Sequence, residues 1–374
     1  MSLLSLAKIS YNDIPAALER ALEPFSDRVP CKDKRILIKP NLVEPLPCTS
    51  GQTTNPALVE ALVLWCRARG AAEIAIGEGP SYFQPRRDLS ECFKRTGMAN
   101  VAQRQGIRWI LFDNENFRAF RNYNPATPPV FHLSEHAFCW DYIINVPVPK
   151  SHYLTTVSIA MKNLKGFIMR EEKPSFHYCG PDGIHSAVTQ LCTIIRPSLN
   201  VVDCSLPLHC DPPFIIAGED IVAVDAFTTA LMGINPDSIQ TIVRGHEAGL
   251  GERDLSRIDV TGDGLTGISM RCEDPHEYVK RAFPTLRLHA SRACSGCLIP
   301  LFAALRRIEG LGDTCCREVV SGKEPESKHI QNAVFIGTCA CTPTACGPRL
   351  AQCPPTKEAV FEFLKENLSG KGIA

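Results

Sequence analysis

The chain has 374 residues, 44% of them apolar or aromatic, and 40 basic residues balance 40 acidic ones. That length admits two domains, or one large α/β domain with an appendage. The even charge argues against a nucleic-acid or membrane-surface role, which ordinarily takes a basic excess. No run approaches the ~20 apolar residues of a membrane span. The opening MSLLSLAKIS lacks the basic region and apolar core of a secretory signal, so a cytoplasmic protein is expected.

A first helix is expected around residues 15–22. KRILIKPNLV then reads as a short buried strand stopped by Pro40. NPALVEALVLWCRARG has apolar residues at helical spacing, a proline near its start and Gly70 at its end. AAEIAIGEGPS is the next strand, so strand, helix and strand form a βαβ unit with parallel strands. FRNYNPATPPVFHLSEHAF, rich in proline and asparagine, predicts irregular structure. WDYIINVPVPKSH is a strand ending in a loop, followed by an expected helix TTVSIAMKNLKGF. SAVTQLCTIIRP is a helix feeding the strand LNVVDCS, and IVAVDAFTTALMG is a buried helix. These alternations predict an α/β fold, a doubly wound and mostly parallel sheet, over residues 1–284.

Residues 285–374 read as a smaller Cys-rich region. It carries a helix after CSGC, a strand NAVFIG, a final helix EAVFEFLKENL and a frayed tail. Ten of the 18 cysteines are scattered through the first 272 residues, often in apolar contexts that suit core packing, and eight fall between Cys294 and Cys353. Without a secretory signal, metal or redox chemistry explains such a cluster better than disulfides.

Ligands of open parallel sheets bind outside the carboxyl ends of the strands. The polar groups there are Lys39 and Asn41, Glu78, Lys150 and His152, and Asp203. Lys162, Asn163 and Lys165 follow on the next segment. A crevice lined by Lys39, Lys150 and Lys162 suits an anionic small molecule, a carboxylate or phosphate. Lys150, His152 and Glu78 are the candidate catalytic groups, with Glu78 or His152 carrying a proton. Lys39, Asn41, Lys162 and Asn163 are the candidate binding groups. Asp225 reads as a helix support. Cys204, His209, Cys210 and Asp211 in DCSLPLHCD match no metal spacing.

ILIKPNLV, the helix and strand after it, INVPVPKSHYLTTVSIAMKNLKGF, LNVVDCS and IVAVDAFTTALMG together resemble the domain of unknown function 362 family. The likeness covers about residues 30–235, and Lys39, Asn41, Lys150, His152, Lys162 and Asn163 match its blocks. One turn departs from the family pattern: an acidic Gly-rich turn is replaced by DCSLPLHCDPPFIIAG. The CSGC…GTC…QCPP pattern resembles the iron–sulfur extensions of some members, which come mostly from anaerobic microbes.

CSGC opens a helix whose N-terminus favours thiolates, Cys339 ends a strand, and Cys353 precedes a proline as last cluster ligands often do. Cys294, Cys297, Cys339 and Cys353 are therefore expected to hold one [4Fe–4S] cluster, with Cys341 and Cys346 as substitutes. Structural zinc, a Cys294/Cys297 dithiol and plain buried thiols remain as alternatives. Adjacent Cys315 and Cys316 cannot readily share a site. The expected function is an iron–sulfur oxidoreductase that binds a small anion. The alternatives are a non-catalytic electron-transfer subunit docking on a redox partner protein, and an isomerase or racemase with a structural cluster.

Overall fold

Ser2–Lys8, in the stretch weighed above only as a signal, is a strand inside the main sheet. The computed structural model describes residues 1–11, 13–82, 89–121, 128–178, 180–208, 210–270, 272–290, 293–309, 318–322, 330, 333–341 and 345–368, with 178 and 180–182 as backbone only. His209, Cys315, Cys316 and the tail at 369–374 lie outside the described residues. The chain divides into two units. The first comprises residues 1–150, 157–173 and 185–272; the second comprises 151–156, 174–184 and 273–374.

Among the described residues, the first unit is built on eight strands: β1 (Ser2–Lys8), β2 (Arg35–Pro40), β3 (Glu73–Glu78), β4 (Arg108–Leu111), β5 (Tyr142–Val146), β6 (Leu199–Cys204), β7 (Phe214–Gly218) and β8 (Ile258–Gly262). Their order across the sheet is β8-β1-β7-β6-β5-β2-β3-β4. Only β7 runs against its neighbours, pairing antiparallel with β1 and β6. The other pairs are parallel. The fold is thus mixed α/β around a large, mostly parallel sheet.

Alternate residues of these strands face opposite ways. On one face Ile36, Ile38, Ile74, Ile76, Ile144 and Val201 pack with α1 (Ile14–Leu22) and α2 (Pro56–Ala68). Each helix is started by a side chain: Asp13 accepts from Ala16 N, and Asn55 from Ala57 N. On the other face β7 meets α3 (Ile221–Leu231), where a methyl group at Gly218 would lie 3.0 Å from Val224.

Two expectations need correction. TTVSIAMKNLKGF is not one helix: only Ala160–Asn163 is α-helical, and Leu164–Phe167 tightens into a 3-10 turn. The stretch 120–138, expected to be irregular, contains the strand Val130–Ser134, which pairs antiparallel with Phe117–Arg121. Its alternation was masked by the polar residues between, of which 122–127 are not described.

The second unit has four short parallel strands: β9 (Arg287–His289), β10 (Glu318–Ser321), β11 (Ala333–Ile336) and β12 (Arg349–Leu350). One face of this sheet, with Val319, Val334 and Ile336, packs on α4 (Ser295–Glu309) and α5 (Lys357–Leu368). The other presents Val320, Ala333 and Phe335.

Candidate functional site

The carboxyl end of β2 places Lys39 in the interior of the first unit, fully buried. An ammonium cannot be buried cheaply without a counter-charge. Glu78, at the end of adjacent β3, supplies it at 2.9 Å. Its other contacts are backbone: Oε2 accepts from Leu42 N at 3.3 Å, and Oε1 from Gly79 N at 2.8 Å. Both carboxylate oxygens are therefore engaged. Gly166 closes over the pair so tightly that a methyl group there would lie 1.9 Å from Glu78 Oε1 and 2.8 Å from Lys39 Nζ.

Around this pair the lysines outnumber the carboxylates. Lys150 Nζ donates to Asn41 Oδ1 at 3.0 Å and to the Gln52 carbonyl at 2.7 Å. Desolvation, and then neighbouring Lys162, pull its pKa down to about 7. Burial lowers Lys162 to about 8. Lys165 is pushed well down by burial, then by Lys162 and Lys173. Lys173 donates to the carbonyls of Gly79 and Pro80 at 2.8 and 2.9 Å, and burial lowers it also. Asp113 is buried nearby, and burial raises its carboxyl while Lys173 draws it back.

A chain of amides runs beneath these charges. Asn41 Nδ2 donates to Asn163 Oδ1 at 3.0 Å, Asn163 Nδ2 to Asn145 Oδ1 at 2.8 Å, and Asn145 Nδ2 to Asn200 Oδ1 at 3.0 Å. Asn200 Nδ2 then donates to the Gly218 carbonyl at 3.2 Å. The short helix carrying Lys162 and Asn163 is started by Asp225, which accepts from Ala160 N at 2.7 Å. This explains its sharp local geometry: a buried carboxylate from α3 fixes the first turn, and Gly166 ends the segment against Glu78. Asp203 is likewise structural, accepting from Asn55 N at 2.6 Å and from Ser205 Oγ at 2.6 Å.

Lys39, Asn41, Glu78, Lys150 and Asn163 are thus joined by direct hydrogen bonds, and Lys162 acts on Lys150 through its charge. His152 belongs to the second unit. Its Nδ1 accepts from Leu154 N and Thr155 N at 3.1 and 3.2 Å, and its ring lies 6.5 Å from that of His177. The residues that sequence reasoning missed are Asp113, Lys173, Asn145 and Asn200. The two asparagines carried a signal: each interrupts an apolar strand, YIINV and LNVV, where an amide is tolerated only with partners.

In the second unit the Cys297 thiol donates a hydrogen bond to Cys294 at the start of α4, holding Cys294 down to about 6 against burial. Cys297 Sγ lies only 2.5 Å from where a methyl group of Gly337 would stand; Gly337 has φ +92° and precedes Cys339 by two residues. The Cys353 thiol is raised by burial, then by the charges of Cys294 and Cys339. The donor set suits a thiolate-bound iron or zinc centre in kind, and Gly337 leaves room for the Cys297 sulfur. Among the described residues, no three His, Cys, Asp or Glu side chains are closed on a single metal position. Cys341 packs instead with the residues on the opposite face of the sheet, its Sγ 3.8 Å from the Phe335 carbonyl. Cys346 is exposed.

An α/β protein with a lysine-rich, amide-backed strand-end site is the class defined by this geometry. Residues 36–230, just over half the chain, match the family model "Domain of unknown function (DUF362)", and the chain belongs to that family. It is 25% identical over 271 residues to the thylakoid-associated protein sll1697 of Synechocystis sp., covering 67% of this chain and 79% of that one. Among solved structures it is similar to the lactate racemase apoprotein of Thermoanaerobacterium thermosaccharolyticum, with TM-score 0.39 and 15% identity over 54% of this chain. The likeness spans half the length of the racemase chain. No helix among the described residues is long and apolar enough to cross a membrane.

Proposed function

We propose that the protein is an iron–sulfur redox enzyme whose first unit binds a small anionic molecule at the strand ends. The observation that carries the anion site is the surplus of cation: Lys39, Lys150, Lys162, Lys165 and Lys173 act on one another in a buried cluster whose neighbouring carboxylates are Glu44, Glu78 and Asp113. Glu78 is committed to Lys39. The lowered pKa values of Lys150 and Lys162 mark ammonium groups short of negative charge, which a carboxylate or phosphate supplies. With a pKa of about 7, Lys150 is the group suited to carry a proton at neutral pH. His152 Nδ1 is taken by two backbone N–H groups.

Cys294, Cys297, Cys339 and Cys353 would hold the cluster, with Cys341 set aside by its packing on the other face. When bound, a [4Fe–4S] cluster supplies one-electron transfer at a potential set by its thiolates and surroundings. The test has two parts. Anaerobic purification followed by iron, sulfide and zinc analysis should give about four iron per chain; zinc without colour would overturn the redox reading. Calorimetric titration with inorganic phosphate and with malonate should show binding that salt weakens. No heat from either anion would overturn the first-unit site independently of the metal result.

A further inference from the structure

The first unit carries a small cavity of about 30 Å³ that opens to solvent. Cys48, Asp203, Cys204, Leu206, Cys210 and Met270 contribute to its lining. Two of its thiols are neighbours: Cys204 and Cys210 lie close enough that each shifts the titration of the other. Cys210 Sγ also lies 3.2 Å from the Cys204 carbonyl and 3.4 Å from that of Leu206. Cys204 ends β6, and Cys210 sits in the two-residue strand Cys210–Asp211, paired with Ser269–Met270. Both cysteines are therefore carried on backbone held by ladder bonds, and both contribute to the lining of the same cavity.

We propose that Cys204 and Cys210 are a redox pair that closes to a disulfide when a hydroperoxide enters this cavity. The Cys210 thiolate attacks one peroxide oxygen; the O–O bond breaks, and the departing oxygen leaves as water with the thiol's proton. Cys210 is then a sulfenic acid. Cys204 attacks that sulfur, the S–O bond breaks, and a second water leaves as the S–S bond forms. In sum two thiols lose two protons and two electrons, and hydrogen peroxide becomes two waters. Cys204 is the resolving partner because burial holds its thiol well above the ordinary range, which leaves Cys210 as the attacker.

The molecule contains its own control. Cys31 and Cys66 also shift each other's titration, but Cys66 is on α2 and both lie within the apolar core. Proximity alone would oxidise both pairs; access through the cavity selects one.

The full-length reduced protein is treated with one equivalent of hydrogen peroxide, denatured, alkylated, digested and mapped by mass spectrometry. The expected result is a Cys204–Cys210 cross-linked peptide, with Cys31 and Cys66 recovered as alkylated thiols. In the C204S variant, a dimedone-type trap should label Cys210 faster than exposed Cys139. Equal cross-linking of the Cys31–Cys66 pair overturns the proposal. So does recovery of Cys204 and Cys210 as thiols, or labelling of Cys210 no faster than Cys139.

Discussion

Lys39 and Glu78 form an ion pair of 2.9 Å with the ammonium wholly buried and the carboxylate nearly so. Breaking such a pair from one side leaves a charge with no partner, at about 3–5 kcal/mol. Lys39→Met should therefore lower the unfolding free energy by roughly that amount. The double variant Lys39→Met/Glu78→Gln should recover a large part of it. Urea unfolding of the four proteins in the cycle checks this, and additive losses would mean the pair is not coupled.

Gly166 seals the same pair. Gly166→Ala drives a methyl group toward Glu78 Oε1, and the strain of fitting it costs about 1–3 kcal/mol. The measurement is the melting temperature. A variant as stable as the parent would show that the segment 164–167 can withdraw.

Lys150 is the residue whose charge changes near neutrality. In the protein without ligand it is an ammonium below pH 7 and increasingly neutral above. Phosphate or malonate binding, corrected for the anion's own titration, should thus weaken as pH rises through about 7 to 8, where Lys150 and then Lys162 lose their protons. Lys150→Met should abolish the binding and its pH dependence. It should cost about 1–2 kcal/mol of stability through the acceptor left on Asn41, while leaving the iron content unchanged.

Asp225 gives a pH dependence of stability with the same origin, burial, acting on an acid. Burial raises its carboxyl to about 7 in the folded protein. Between about pH 4 and pH 7 the folded state keeps a proton that the unfolded chain has released, so stability falls as pH rises through that window and levels off above it. Asp225→Asn keeps an oxygen for Ala160 N and removes this slope. Urea midpoints at acid and neutral pH, compared for the two proteins, decide it.

Replacing Cys294, Cys297, Cys339 or Cys353 singly by serine should lower bound iron in anaerobic preparations. Cys341→Ser should leave it at the parental level, since Cys341 packs on the opposite face of the small sheet. Iron lost from C341S and retained in C339S would exchange those two assignments.

Much of the site was readable because short motifs hold it: Lys39, Asn41, Lys150 and Asn163 each follow or flank an apolar strand. What could not be read was distance across the fold. Lys173 meets Gly79 and Pro80, some 90 residues away, through a close approach that no local pattern announces. The β1 strand was hidden for another reason. SLLSLAK has too few residues to show a period, and its place is set by partners at residues 214–218 and 258–262. The helix expected over 155–167 failed because buried Asp225 and Gly166 fix both ends of a shorter segment, so tertiary contacts overrode its apolar spacing.

The amides beneath the lysines all donate in one direction, from Lys150 toward the Gly218 carbonyl. An ammonium at one end can only give hydrogen bonds, and a carbonyl at the other can only receive them. None of the four asparagines between can turn its amide over without breaking the bonds on both sides. The row therefore has a polarity, fixed at its ends and reinforced link by link. An anion that draws Lys150 toward itself pulls on the first link of a line crossing from β2 through β5 and β6 to β7. Four strands would then register an anion bound at Lys150, with no moving loop required.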